Sequence, residues 1–224
     1  MAKIFGISRH RLTTDGQGVT TLVAFSGCPL RCDYCINHIC HSTEKGKEYT
    51  PQSLYDEVKI DDLYFRATNG GITFGGGEPA LQSVFIEQFR QICGSDWRIV
   101  LETSLNVDHE HVIRLIPIVD DYIIDIKDMN DDIYYAYTHK HNNLVISNLL
   151  YLIKKGLKDK ITIRIPLIKG YNNKNDIARS KRKLEKMGLT KFDLFEYDVN
   201  HAKQKNKIDY EIGEAIPPYK FEDL

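Results

Sequence analysis

Cys28, Cys32, Cys35 and Cys40 fall within thirteen residues of one another, and Cys93 completes the five cysteines of the chain. An odd, clustered set is a poor disulfide framework and a good ligand set for a metal or a cluster. The first three are spaced C-x3-C-x2-C, which puts three thiolates on one tight loop. A closed zinc site would complete them with Cys40, His38 or His41. An iron–sulfide cube would take the three thiolates on three irons and leave the fourth iron open for a ligand. Three cysteines on a single loop suit the cube better, because zinc ribbons usually bring two separated pairs of ligands. Arg31, inside the loop, would offset an anionic cluster. Cys93 lies beside an apolar helical stripe and is expected to be a core thiol.

Those residues need a frame. Six short apolar or β-branched runs read as strands: Val19–Ser26, Gly71–Gly75, Arg98–Thr103, Asp121–Lys127, Ile161–Ile168 and Lys191–Asp198. Several are apolar almost throughout, as strands covered on both faces are. Between them lie helical patterns. Phe85, Phe89 and Ile92 mark one buried face. Leu149, Leu152 and Ile153 mark another, ahead of Gly156 as a helix C-cap. Asn175 and Asp176 precede a third helix, which runs through Leu184 and Met187 to Gly188. Alternating βα units predict an α/β fold with a parallel sheet. Six units are too few for a closed eight-fold barrel, so a partial (β/α)6 barrel is expected, with residues 1–224 as a single domain.

Polar residues cluster where these strands end. The first strand runs into the cysteine loop, and the second into Gly75-Gly76-Gly77-Glu78-Pro79. The third ends in Glu102-Thr103-Ser104 and the fourth carries Asp125 and Lys127. Arg164 and Lys169-Gly170 belong to the fifth, Glu196-Tyr197-Asp198 to the sixth. In barrels of parallel strands the C-terminal ends converge on one mouth, where catalysis is placed. Composition excludes other classes. Thirty basic against 31 acidic residues leave a net charge of −1, so no general nucleic-acid or membrane-surface binder is expected. No run approaches the ~18 apolar residues of a membrane span. The N-terminus lacks a secretory pattern, and a cytoplasmic location is expected.

Cys28-x3-Cys32-x2-Cys35 with aromatic Tyr34, followed by Gly76-Gly77-Glu78-Pro79, resembles the radical S-adenosylmethionine (SAM) superfamily. Thr14-Asp15-Gly16-Gln17-Gly18, Cys35-Ile36-Asn37, the stretch from Ile124 to Asp131, and Ile163-Arg164 with Gly170 narrow the resemblance. Within the superfamily the chain is similar to activating enzymes of glycyl-radical enzymes. The resemblance implies that Cys28, Cys32 and Cys35 ligate a [4Fe–4S] cluster whose open iron takes the amino and carboxylate groups of SAM. Gly76, Gly77 and the Glu78 carboxylate would hold the methionyl amino group. Tyr34, Asn37, Thr103, Asp125, Lys127, Arg164 and Asp198 would line the cofactor site, with Lys127 also serving the reaction. Asp15 would lie near a bound substrate peptide, and a monovalent cation near Glu102, Thr103 and Asp125. The chemistry implied is cleavage of SAM to a 5′-deoxyadenosyl radical that abstracts hydrogen from a glycine of a partner enzyme.

The chain departs from the family pattern at several positions. Glu102-Thr103-Ser104-Leu105 stands where relatives have Asp-Thr-Asn-Gly. Asp198, with His201 nearby, stands where they have a cofactor-facing histidine, and Ile36 follows Cys35. The ferredoxin-like insert of many such activases is missing. Two other readings stay open: a radical SAM enzyme acting on another peptide or a small molecule, and a metal-stabilised binding module without turnover. A flavodoxin or ferredoxin is the expected electron donor, docking on the basic face from Arg179 to Lys186 or on Lys203, Lys205 and Lys207. A monomer is expected. His109, His111, His139 and His141 are read as surface residues away from the strand ends.

Overall fold

The computed structural model describes residues 1–12, 14–42 and 45–197. Its strands are β1 (Ala2–Leu12), β2 (Val19–Phe25), β3 (Lys47–Tyr49), β4 (Gly71–Gly76), β5 (Arg98–Thr103), β6 (Asp121–Asp125), β7 (Ile161–Leu167) and β8 (Lys191–Glu196). They form one sheet in the order β3-β1-β2-β4-β5-β6-β7-β8. From β2 to β8 every neighbour is parallel and follows in chain order, so the sheet is wound in one direction, as in a barrel. It does not close. The result is a partial (β/α)6 barrel, and the six expected strands are all present within two residues of their expected bounds.

The sequence reading missed β1 and β3, which pair antiparallel and extend the sheet beyond β2. The pairing of β1 with β2 is irregular between Ser8 and Arg11, where His10 adopts φ 55°. That break, together with Arg9, His10 and Arg11, hides the two-residue period on which strand recognition rests.

Helices α1 (Pro51–Val58), α2 (Asp62–Thr68), α3 (Ser83–Cys93), α4 (His109–Leu115), α5 (Asp131–Thr138), α6 (Asn143–Lys154) and α7 (Lys174–Lys186) fill the crossovers. The last begins earlier than expected. Asn173, not Asn175, is its N-cap, accepting from the N–H groups of Asn175 and Asp176 while Asp176 accepts from Asn173 in return, a reciprocal capping box. No described helix is long and apolar enough to cross a membrane.

Alternation along the strands sorts the sheet into two faces. One face packs on the helices: Phe25 and Phe74 stack at 5.4 Å and Phe85 meets Phe25 edge-on. Trp97, 1% exposed, closes this layer against Tyr55 and Phe65. Cys93 is buried here as a core thiol. The other face lines the inside of the barrel and is charged. Asp125 on β6 is the register partner of Arg164 on β7, and Arg164 also reaches Glu102 on β5 and Asp193 on β8. The barrel therefore separates an apolar, structural face from a polar, chemical one.

Candidate active site

Past the end of β2, residues 26–41 fold back over the C-terminal edge of the sheet. Backbone bonds fix this loop from three directions. Gly27 N–H donates to the Cys40 carbonyl at 2.7 Å, and the Gly27 carbonyl accepts from Glu78 N–H at 2.7 Å. The N–H groups of Arg31 and Asp33 donate to the carbonyls of Thr138 and Tyr137 at 3.0 and 3.2 Å, so the loop rests on the C-terminal end of α5. Asn37 then bridges the loop to β4, its Nδ2 donating to the Gly76 carbonyl at 3.0 Å. The three cysteines and the glycine pair, forty residues apart in sequence, thus become one site.

The glycines are required by this packing. Gly76 has φ 97°, and a Cβ there would stand 2.7 Å from the Ala24 Cα; at Gly77 a Cβ would strike the Gly27 carbonyl oxygen. Gly77 N–H donates to the Phe25 carbonyl at 2.9 Å. What the glycine pair offers a ligand is carbonyl oxygen: that of Gly76 has accepted one hydrogen bond and retains a second lone pair.

Glu78, expected to hold the methionyl amino group, is engaged within the protein. Its carboxylate is 0% exposed and turned into the protein. Oε1 accepts from Thr103 Oγ1 at 2.5 Å and Ala80 N–H at 3.1 Å; Oε2 accepts from Ser104 N–H at 2.8 Å and Ser104 Oγ at 2.6 Å. Four donors fill the acceptor capacity of a carboxylate. Burial pushes its pKa up, while these hydrogen bonds favour the ion. Here Glu78 clasps the ends of β4 and β5 together. Thr103, spent on this clasp, is likewise turned away from the barrel interior.

The thiols differ in their surroundings. Burial pushes Cys28 up to about 12. Burial also raises Cys32, to about 11, against the opposing charge of Lys127. Cys35 is drawn down to about 7, chiefly by a hydrogen bond from the Cys40 thiol. Lys127 is buried, which works against its charge, but Asp125 and Cys32 outweigh this and keep it an ammonium; its Nζ lies 2.9 Å from Asp125 Oδ2. Asp125 Oδ1 is buried without a hydrogen-bond partner. Three thiols on one loop beside a cation, an orphaned carboxylate oxygen and a carbonyl with a spare lone pair fit a thiolate-held cluster with an amino-acid-bearing nucleoside beside it.

Asp15, expected near a substrate peptide, is buried within its turn. It is 3% exposed, ion-paired with Arg11, and its carbonyl accepts from Thr73 Oγ1 at 2.5 Å. The turn carrying it packs inside the barrel on β4 and β5, held by Arg164, whose Nη2 donates to the Thr14 carbonyl at 2.5 Å. The three groups expected around a monovalent cation have separate engagements: Glu102 with Arg164, Thr103 with Glu78, and Asp125 with Lys127. Asp198 and His201 lie outside the described residues, as do Lys203, Lys205 and Lys207.

Several contributors escaped the sequence reading. Asp33 accepts from His139 Nε2 at 2.9 Å and from the Tyr171 hydroxyl, and the Tyr197 hydroxyl donates to the Tyr34 carbonyl. Tyr34 meets Tyr171 edge-on at 5.8 Å, and Tyr137 meets Tyr171 at 5.1 Å. His139 is exposed, as expected, and its ring ties α5 to the cysteine loop. His109 and His111 are half-buried and bonded to Asn148 and Ser83. His141 is exposed, as expected, and paired with Asp131. Only folding brings these single residues of common type together.

Glu102 gives a pH signature. Burial pushes its carboxyl up from 4.5 to about 7 against the pull of Arg164, with Asp125 and Asp15 adding to the rise. Between those values the folded protein holds a proton that the unfolded chain has released. This contribution to stability is full below about pH 4.5 and lost as the pH rises through about 7. Glu102→Gln is expected to flatten the fall in stability over that interval, read by urea unfolding at a series of pH values. An unchanged slope would mean that Arg164 already keeps the carboxyl ionised.

Residues 22–209 match the family model described as the radical SAM superfamily. That is most of the chain, and the protein belongs to this superfamily. Over 221 residues, covering 93% of this chain and 87% of the relative, it is 29% identical to the pyruvate formate-lyase 1-activating enzyme of Escherichia coli (strain K12). It is 28% identical to the (2S)-3-sulfopropanediol dehydratase activating enzyme of Klebsiella oxytoca, covering 76% of this chain and 72% of that one. Among solved structures, a domain of the pyruvate-formate lyase-activating enzyme from Bacteroides vulgatus superimposes with a TM-score of 0.50 at 25% identity. It covers 62% of this chain and 91% of that chain.

Proposed function

We propose that this protein is an activating enzyme for a glycyl-radical enzyme, using a [4Fe–4S] cluster and SAM to remove hydrogen from a glycine of a partner protein. One observation carries the reading: Asn37 and Gly27 lock the C-x3-C-x2-C loop against Gly76-Gly77 at the C-terminal ends of β2 and β4. A bound, reduced cluster would supply the single electron for reductive cleavage of SAM at its S–C5′ bond. Cys28, Cys32 and Cys35 would hold the cluster. The Gly76 carbonyl would accept from the methionyl ammonium, and the Lys127 ammonium would attract the carboxylate. Asp125, through its unpartnered Oδ1, would accept from a ribose hydroxyl. Arg164 would hold the turn at Asp15 and so shape the wall of the barrel; Asp15 would bear on a substrate peptide through that turn.

Tyr34 closes the site from the side of the tyrosine cluster, and Asp198 belongs to the same reading. A monovalent cation near Glu102, Thr103 and Asp125 would have to draw them from their present partners Arg164, Glu78 and Lys127. A flavodoxin or ferredoxin donor, and action as a monomer, complete the proposal. Anaerobically reconstituted protein is expected to be brown and, with dithionite and SAM, to release 5′-deoxyadenosine and methionine in equal amounts. A protein that takes up iron and sulfide but leaves SAM intact contradicts this function.

A further inference from the structure

Cys40 and His41 have no place in the reading above, yet they are positioned with care. The short turn His38–His41 brings them back to Cys35, with Cys40 N–H bonded to the Asn37 carbonyl at 2.8 Å and its own carbonyl held by Gly27. The ligand atoms of Cys35, Cys40 and His41 all lie within 4.8 Å of one another, and among the described residues this is the group of three so gathered. Cys28 and Cys32 are not part of it. That is the distinction between two kinds of site. Thiolates on a cubane each bind a different iron and stand well apart, whereas ligands of one ion converge. A tetrahedral ion with bonds of about 2.0–2.3 Å sets its ligand atoms roughly 3.3–3.8 Å apart, within a small adjustment of this arrangement.

We propose that, in protein lacking its iron–sulfur cluster, Cys35, Cys40 and His41 bind one zinc or similar borderline divalent ion, with water as the fourth ligand. The ion and the cluster then exclude each other, because both need Cys35; this second half rests on the cluster reading above. Binding releases the two thiol protons and involves no change of oxidation state. Two thiolates neutralise the dication. Arg31 Nη1, 2.5 Å from His41 Nδ1, would have to release the imidazole while keeping its hydrogen bonds to the Cys28 and Leu30 carbonyls.

Cobalt(II) is the probe, titrated anaerobically into the full-length, cluster-free protein. One equivalent is expected to give sulfur-to-cobalt charge transfer and tetrahedral ligand-field bands, and zinc is expected to bleach both. Cys40→Ser should weaken cobalt binding by more than about tenfold, His41→Ala should weaken it too, and Cys28→Ser should leave it intact. Zinc added before iron and sulfide should lower the cluster yield of the unsubstituted protein and spare that of Cys40→Ser. Cobalt bound equally by Cys40→Ser but lost in Cys28→Ser would overturn the proposed ligand set. A cluster yield indifferent to zinc would overturn the competition. A normal cobalt spectrum in protein that never accepts a cluster would support the metal site and overturn only the cluster reading.

Discussion

Alanine at Cys28, Cys32 or Cys35 is expected to abolish the brown visible absorbance and all SAM cleavage together, whereas Cys40→Ser and Cys93→Ser keep both. The effect should be complete, because a cube with one iron reserved for SAM has three protein thiolates and none to spare. The fold supplies the reason for the contrast. Cys93 is buried at the end of α3 on the helix-facing side of the sheet, across the strands from the chemistry. Cys40 stands in the loop but is paired in space with Cys35, too close to hold a separate corner of a cube. Loss of the cluster in Cys40→Ser would instead make Cys40 a fourth thiolate and the site a closed one.

The second large effect is structural. Glu78→Ala is expected to destabilise the protein by about 2–6 kcal/mol, since it leaves the buried N–H groups of Ala80 and Ser104 without acceptors at about 1–3 kcal/mol each. The hydroxyls of Thr103 and Ser104 can turn to other partners and add little. Urea unfolding should show a lower midpoint with an unchanged slope. Cofactor affinity should fall with it, because the clasp sets where Gly76 and Gly77 lie. Unchanged stability with SAM binding weakened at least roughly tenfold, about 1.4 kcal/mol, would restore the direct contact with the methionyl ammonium that the sequence motif implies.

Glu78 also shows where sequence reasoning ends. Its position in the motif is visible in the sequence, but the direction of its carboxylate depends on Thr103 and Ser104, one strand away. Asp15 is similar: the motif around it is legible, yet only the folded turn reveals that Arg11 and Thr73 occupy it inside the barrel. The parallel strands were legible because their runs are short and rich in β-branched residues, as in Ile123-Ile124 and Ile161 to Ile163. The antiparallel β1 was not, since His10 breaks its period beside charged neighbours. The supports of the cysteine loop, Tyr137, His139 and Tyr171, are set by packing between α5 and the segment after β7. Their spacing in sequence carries no trace of that contact.

The central claim is that a partner's glycine is the atom donor, and isotope transfer tests it most directly. A peptide of about eight residues centred on a radical-bearing glycine, or the intact glycyl-radical protein, is prepared with deuterium at that Cα. It is then mixed with the reduced, reconstituted enzyme and SAM. The account predicts deuterium in the 5′-deoxyadenosine released, and none when the glycine is replaced by alanine. Label absent with every glycine substrate, but appearing from another peptide or a small molecule, would contradict it.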